Sequence, residues 1–152
     1  GKRCDEMLEV MQKLWSGNAV SHEGTHYRFP PLQMSPGLVH QLPIYVGGFA
    51  EAALRRASRQ NGWIGGQHSM EELEQLIPAL LAHRQASGLP AAGFELCVGL
   101  YDQSEGNIRR CEELGVTGVY RHAFCDENGM ASRMSLDDKL RDMERFAQLH
   151  LI

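Results

Sequence analysis

Two periodicities run along this chain, one of amphipathic helices and one of short buried strands. Between Asp5 and Trp15 the apolar residues Met7, Leu8, Met11, Leu14 and Trp15 fall at i, i+1, i+4, i+7 and i+8. That spacing gathers them on one face of a helix, with acidic residues favourably placed at its N-terminus. Ser16-Gly17-Asn18 stops it. Val20 to Phe29 reads as a small hairpin or excursion around Glu23-Gly24. Pro30-Pro31 and Pro36-Gly37 predict an extended linker without regular structure.

Beyond the linker the pattern changes to short, nearly continuous apolar runs. Pro43 to Val46 is the first strand, running into Gly47-Gly48; Gly62-Trp63-Ile64 runs into Gly65-Gly66, with the second strand over Trp63 to Gly65. Between them Ala50 to Gln60 is helical, with Ala50, Ala53, Leu54 and Ala57 on one face. Ser69-Met70-Glu71-Glu72 is a capping box, in which the serine accepts from the N3 amide and the glutamate reaches back. The helix it opens carries Leu73, Leu76, Ile77, Leu80 and Leu81, should kink at Pro78, and ends at Ser87-Gly88. Phe94 to Leu100 is a third strand. Glu105 to Leu114 is a helix with Ile108, Cys111 and Leu114 inward and Gly115 as its stop. Val116 to Tyr120 is a fourth strand. Ser135-Leu136-Asp137-Asp138 starts a last helix, with Leu136, Leu140, Met143 and Ala147 inward. The order is helix, excursion, then four strand–helix units. It predicts a single α/β domain over residues 1–152, with parallel strands covered by helices through right-handed crossovers.

Composition narrows the function classes. Hydrophobic residues make up 43% of the 152 and charged residues 22%, an ordinary globular balance. The net charge of −4 supplies no broad basic field for nucleic acid or anionic lipid. No apolar run reaches the ~20 residues of a membrane span, and no secretion signal is visible. The cysteines Cys4, Cys97, Cys111 and Cys125 form no C-x-x-C pair and read as reduced thiols of a cytoplasmic protein. A metal site of Cys111, His122 and Cys125 lacks zinc-ligand spacing, and no metal is predicted.

The two diglycines carry the candidate chemistry. A glycine at a strand-to-helix junction lets the backbone approach a ligand closely, and its amide can point at a phosphate. The competing reading is that Gly47, Gly48, Gly65 and Gly66 only permit tight turns and close helix–strand packing.

Several segments together resemble the bacterial luciferase-like flavin monooxygenase superfamily. They are Arg3 to Trp15, His22-Glu23-Gly24-Thr25-His26-Tyr27, Pro43-Ile44-Tyr45-Val46-Gly47-Gly48, Ala53-Leu54-Arg55-Arg56-Ala57 and Gly62-Trp63-Ile64-Gly65, in that order. The branch they are most similar to depends on an 8-hydroxy-5-deazaflavin coenzyme. Asn61 is a departure, since an aspartate commonly precedes the Gly-Trp pair there. Members of the superfamily are (β/α)8 TIM barrels about twice this long. The resemblance therefore implies the C-terminal half of a barrel, four parallel strands alternating with helices, preceded by a helix and a small hairpin excursion. It also implies an oxidoreductase using FMN or the deazaflavin, with cofactor phosphate held at Gly47, Gly48, Gly65 and Gly66. Without strands one to four, which supply much of the pocket around the flavin ring, the alternative is a non-catalytic half-barrel remnant.

Other residues carry weaker expectations. His122 follows the fourth strand, where a barrel places catalytic groups, and otherwise is an ordinary loop histidine. His68 either approaches a phosphate or faces solvent beside the Ser69 cap. His22 and His26 suit a structural or subunit-contact role. Trp63 and Tyr45 suit the core better than cofactor stacking. Glu95, if inward, needs a partner such as an arginine, and Arg55 and Arg56 read as a solvated helix face. No nucleophile–base pair is visible, and the catalytic residues stay unassigned. Four parallel strands leave two open edges, which predicts a homodimer closing a barrel about a two-fold axis, or a missing N-terminal half. An active assembly would act on a small molecule.

Overall fold

Short apolar strands alternating with helices bury both if the strands lie side by side and the helices cover them. The computed structural model describes residues 1–120 and 134–150 and has that arrangement. Strands β3 (Tyr45–Gly47), β4 (Gly62–His68), β5 (Glu95–Leu100) and β6 (Gly118–Tyr120) form a parallel sheet in the order β3-β4-β5-β6. Helices α2 (Glu51–Ala57), α3 (Met70–Ala86) and α4 (Glu105–Glu113) make the crossovers. Helix α1 (Lys2–Trp15) precedes the sheet and α5 (Leu136–His150) follows it. A separate antiparallel pair joins β1 (Val20–Glu23) to β2 (Arg28–Leu32). Among the described residues no helix is long and apolar enough to cross a membrane.

Local signals set most boundaries. The capping box forms as predicted: Glu72 N donates to Ser69 Oγ, and Ser69 N donates to Glu72 Oε2. Gly115 adopts φ +82° behind α4, the left-handed stop a glycine allows. Other details differ from the expectation. Pro30 and Pro31 lie within β2, which tolerates them because a two-stranded sheet has only edges. Helix α2 ends at Ala57, three residues early, and Ser58–Asn61 turn back to β4. Helix α3 continues through Pro78, whose ring sits on the exposed side.

The largest difference lies in β4. It runs on through Gly65-Gly66 to His68, so the second diglycine is inside a strand and not at a turn. The pairing of β4 with β5 shifts between Ile64 and Gln67, a bulge that absorbs the extra residue.

The sheet has two unlike faces. Leu96, Val98 and Leu100 alternate along β5 toward the helices and join Trp63, Leu54, Leu73, Ile77, Leu80 and Cys111 in one buried cluster. The other face carries Tyr45, Ile64 and Glu95, which are exposed or half-buried. Helix α5 overturns an expectation: Leu136, Leu140 and Met143 are exposed, Leu136 at 70%. The half-buried positions are Asp138, Lys139, Asp142, Phe146 and Ala147. Phe146 shares a groove with Ile108, Cys111 and Val119, so the helix is rotated from the face that hydrophobicity alone selects.

Candidate functional site

In a parallel sheet the strand ends that feed the helices hold the ligands. Here those ends carry Gly47 on β3 with Gly48 after it, Gly66 to His68 on β4, Tyr101 after β5 and Tyr120 on β6. The four predicted glycines have four different surroundings. Gly48 has φ +100°, and a Cβ there would stand 3.1 Å from Ala53 Cβ. A side chain is thus disfavoured by backbone conformation as well as by space. A Cβ on Gly47 would touch only Ile64 O, at 3.5 Å, and one on Gly66 would meet nothing within 4 Å. Both leave bare backbone beside open space. Gly65 points to the helix side, where a Cβ would lie 2.6 Å from the Trp63 indole. Its missing side chain is filled by that ring.

Trp63 ties the two diglycines together. It is fully buried, as expected of a core residue, and its Nε1 donates to Gly48 O over 2.8 Å. The first turn is therefore fixed from the core side. Glu51, the acid at the start of α2, is drawn along the helix by Arg55 (2.8 Å) and by His83 (3.0 Å). Those bonds hold the Glu51 carboxyl below the usual range.

His68 is buried at 6% exposure and does not face solvent. Its ring stacks on Trp63 at 5.9 Å between centroids and meets Phe49 edge-on at 6.2 Å. Nδ1 lies 3.1 Å from Glu72 Oε2, the same oxygen that closes the capping box. With Nδ1–H donating there, Nε2 is a buried acceptor without a partner. Hydrogen bonding from Ser69 N, then from His68, lowers the Glu72 carboxyl below its ordinary value. Phe49 and Tyr101 stand exposed at the same edge, Phe49 at 68%.

At the opposite end of the strands, Tyr45, Gly62 and Glu95 lie in register on β3, β4 and β5. The Tyr45 ring lies over Gly62, and its hydroxyl donates to Glu95 Oε2 across 2.8 Å. Glu95 thus has a tyrosine for its partner and not an arginine. The bond to Glu95 raises the Tyr45 hydroxyl above its usual value. Tyr120 uses the same device in reverse: it lies beside Gly99 and donates to Gly65 O. Burial, then Cys97, raises the Tyr120 hydroxyl.

The remaining candidates are structural or lie elsewhere. His22 is buried, stacks on Phe29, donates to Glu6 Oε1 over 3.1 Å and accepts from Lys13 at 3.4 Å. His26 contributes its backbone amide to the same carboxylate. Arg55 is exposed, but Arg56 is largely buried and pairs with Asp5 at 2.6 Å, joining α2 to α1. Cys4, Cys97 and Cys111 are free thiols, and among the described residues no cluster of three ligands is placed for a metal. His122 and Cys125 lie outside the described residues. Arg84, which no motif in the sequence singles out, is a buried cation that donates to the carbonyls of Ser58, Gln60 and Pro90 and stacks on Phe94. Its single clue was an arginine in line with the buried stripe of α3.

Comparison with known proteins agrees with this architecture. Residues 1–114 match the family described as luciferase-like monooxygenase. An uncharacterized protein of Mycobacterium tuberculosis is 34% identical over 149 residues, which are 97% of this chain and 51% of that protein. The chain thus spans about half the length of this relative. The F420-dependent glucose-6-phosphate dehydrogenase of Segniliparus rotundus is 27% identical over 84% of this chain and 41% of its own length. The crystal structure of monooxygenase RslO1 from Streptomyces bottropensis superimposes with a TM-score of 0.70 at 16% identity, over 97% of this chain and 59% of that one.

Proposed function

The chain belongs to the luciferase-like monooxygenase family, and from that premise we propose that it forms the phosphate-holding half of a deazaflavin-dependent oxidoreductase. The observation that carries this reading is the bare backbone beside open space at Gly47, the last residue of β3, and at Gly66, in the bulged part of the adjacent β4. A phosphate needs close amides and no side chain in the way. Gly48 sets the turn, Trp63 holds its carbonyl, and Gly65 makes room for the indole. The names of the F420-dependent relatives favour a deazaflavin over FMN in that place. When bound, such a coenzyme supplies hydride transfer. This chain's own residues bind and orient: Gly47, Gly48 and Gly66 at the phosphate end, with Phe49 as an apolar wall. His68 Nε2 would accept a hydrogen bond from a hydroxyl brought against it. The substrate in this reading is a small molecule.

Fluorescence titration with coenzyme F420 and with riboflavin phosphate tests the proposal. F420 is expected to bind more tightly. Gly66→Val, which fills the open space with a strand-forming side chain, should weaken that binding by at least about tenfold while leaving the unfolding midpoint in place. If an assembly with its sheet face protected binds neither compound, the non-catalytic remnant is the better description.

A further inference from the structure

His68 is a buried side chain whose chemistry the fold leaves half-used. Its Nε2 is the buried side-chain polar atom that lacks a hydrogen-bond partner among the described residues. Nδ1 is committed. It faces Glu72 Oε2 at 3.1 Å. That carboxyl, held below its ordinary range by Ser69 N and then by His68, is ionised and accepts only. The proton therefore sits on Nδ1, and Nε2 carries a lone pair. The ring is fixed in that pose. Trp63 lies against one of its faces, and Phe49 stands nearly perpendicular to it, at 84°. The backbone is held as well, since Tyr101 N donates to His68 O at 3.2 Å. Turning the ring would give up the bond to Glu72. A buried acceptor left unpaired is unfavourable, so the geometry asks for a partner from outside the chain.

The neighbours of that ring place it at the glycine turn. Trp63 is bonded to Gly48 O, and Phe49 follows Gly48 directly. Phe49 is mostly exposed, so its ring can move aside without losing a core contact. A lone pair answers a donor and refuses an acceptor. An unprotonated phosphate oxygen could bind Nε2 only if His68 took up a proton, whereas a hydroxyl binds the ring as it stands. We propose that His68 Nε2 is a specificity-determining contact for a hydroxyl on the carbon chain next to the bound phosphate, with Phe49 as the side chain that yields to admit it. The ligand class selected is a phosphorylated polyol, and an anion alone leaves Nε2 unanswered. Glu72 is the positioning residue, because it sets the tautomer. A site built to bond a hydroxyl discriminates strongly against ligands that lack one. The inference rests on the phosphate-holding reading of the proposed function.

Proton–nitrogen NMR of the chain labelled in its histidine rings tests this, with coenzyme F420, whose phosphate sits on a hydroxylated chain, as the probe. Before addition the His68 ring should carry its proton on Nδ1 and none on Nε2. Saturation should move the Nε2 signal toward that of a hydrogen-bonded acceptor while leaving it without a proton. His68→Phe keeps a ring against Trp63 and should bind F420 about tenfold more weakly. His68→Gln, which keeps an acceptor, should recover part of that loss. The wild-type spectra decide the question even if a variant fails to fold. F420 bound with the Nε2 signal unmoved, or held equally well by His68→Phe, would overturn the inference and leave the phosphate-holding reading standing. So would a proton appearing on Nε2 in the complex, since His68 would then grip the phosphate itself. F420 failing to bind wild type at all would remove that reading, and the inference with it.

Discussion

The two faces of one four-stranded sheet are built from the same strands and solve opposite problems. The helix-side face is closed within the chain: Trp63, Leu96, Val98 and Leu100 are buried against α2, α3 and α4, with Val46 and Val119 half-buried beside them. The inner face is organised but unfinished. Its large side chains alternate with glycines in register, Tyr45 over Gly62 and Cys97 above Gly118, where a Cβ would stand 2.9 Å from the sulfur. Ile64, an aliphatic residue in the middle of the sheet, remains 43% exposed. Glycine on this face serves the neighbouring side chain at least as much as any ligand.

Paired truncations put the contrast to its strongest test. Leu96 and Ile64 lie on adjacent strands and face opposite ways. Leu96→Ala should cost about 3 kcal/mol, the usual range for a buried aliphatic. Ile64→Ala should cost less than about 1 kcal/mol in the chain alone. Chemical denaturation of both variants measures the difference. Equal losses would mean that the inner face is already buried in solution. The next effect in size comes from Gly62→Ala. A Cβ there would stand 2.4 Å from the Tyr45 ring and 2.6 Å from Glu95 O. The ring can swing aside, but the ladder carbonyl cannot. A loss of about 2 kcal/mol is expected, and adding Tyr45→Ala should not restore it. Recovery in the double variant would show that the ring is the real obstacle. Tyr45→Phe removes only the hydroxyl donated to Glu95. With water able to replace it, the loss should be the smallest of the set.

How much of this was legible beforehand differs between the faces in the same way. The helix side could be read: apolar runs gave the strands, Ser69 and Glu72 gave the cap, and Leu73, Ile77 and Leu80 gave the buried stripe of α3. The inner side could not, because its determinants are pairs across strands. Nothing near Tyr45 in sequence announces Glu95, fifty residues on. Gly65-Gly66 reads as a turn because glycine weakens strands, yet Gln67 and His68 pair with Gly99 and Leu100 and carry β4 past it. The Leu136–Leu140–Met143 stripe is apolar and still exposed, since periodicity identifies a face without saying what covers it. At the candidate site the bare turn at Gly47-Gly48 was legible. The burial of His68 was not, because it depends on a bulge and on Trp63 from the same strand.

Two carboxylates sharpen the comparison at its smallest scale. Among the described residues Glu95 has one donor, Tyr45, while Glu6 has several: Tyr27 N at 2.8 Å, His26 N at 2.9 Å and His22 Nε2 at 3.1 Å. Burial opposes the ionised form of Glu6, but the Tyr27 and His26 amides, followed by His22, outweigh it, and its carboxyl sits below the ordinary range. The sign follows directly. A carboxyl lowered in the folded state stabilises that state above its unfolded value of about 4, and the contribution is lost as pH falls through the lowered folded value. Acidification through that window should therefore loosen the β1–β2 hairpin from α1 while the strand core persists, because the groups that hold the core are apolar. The amide signals of His26 and Tyr27 should shift there before those of Leu96 and Val98. Glu6→Gln should abolish that early shift. A single concerted transition at all four amides would mean that the hairpin and the sheet unfold as one unit, and that the Glu6 network adds no separate step.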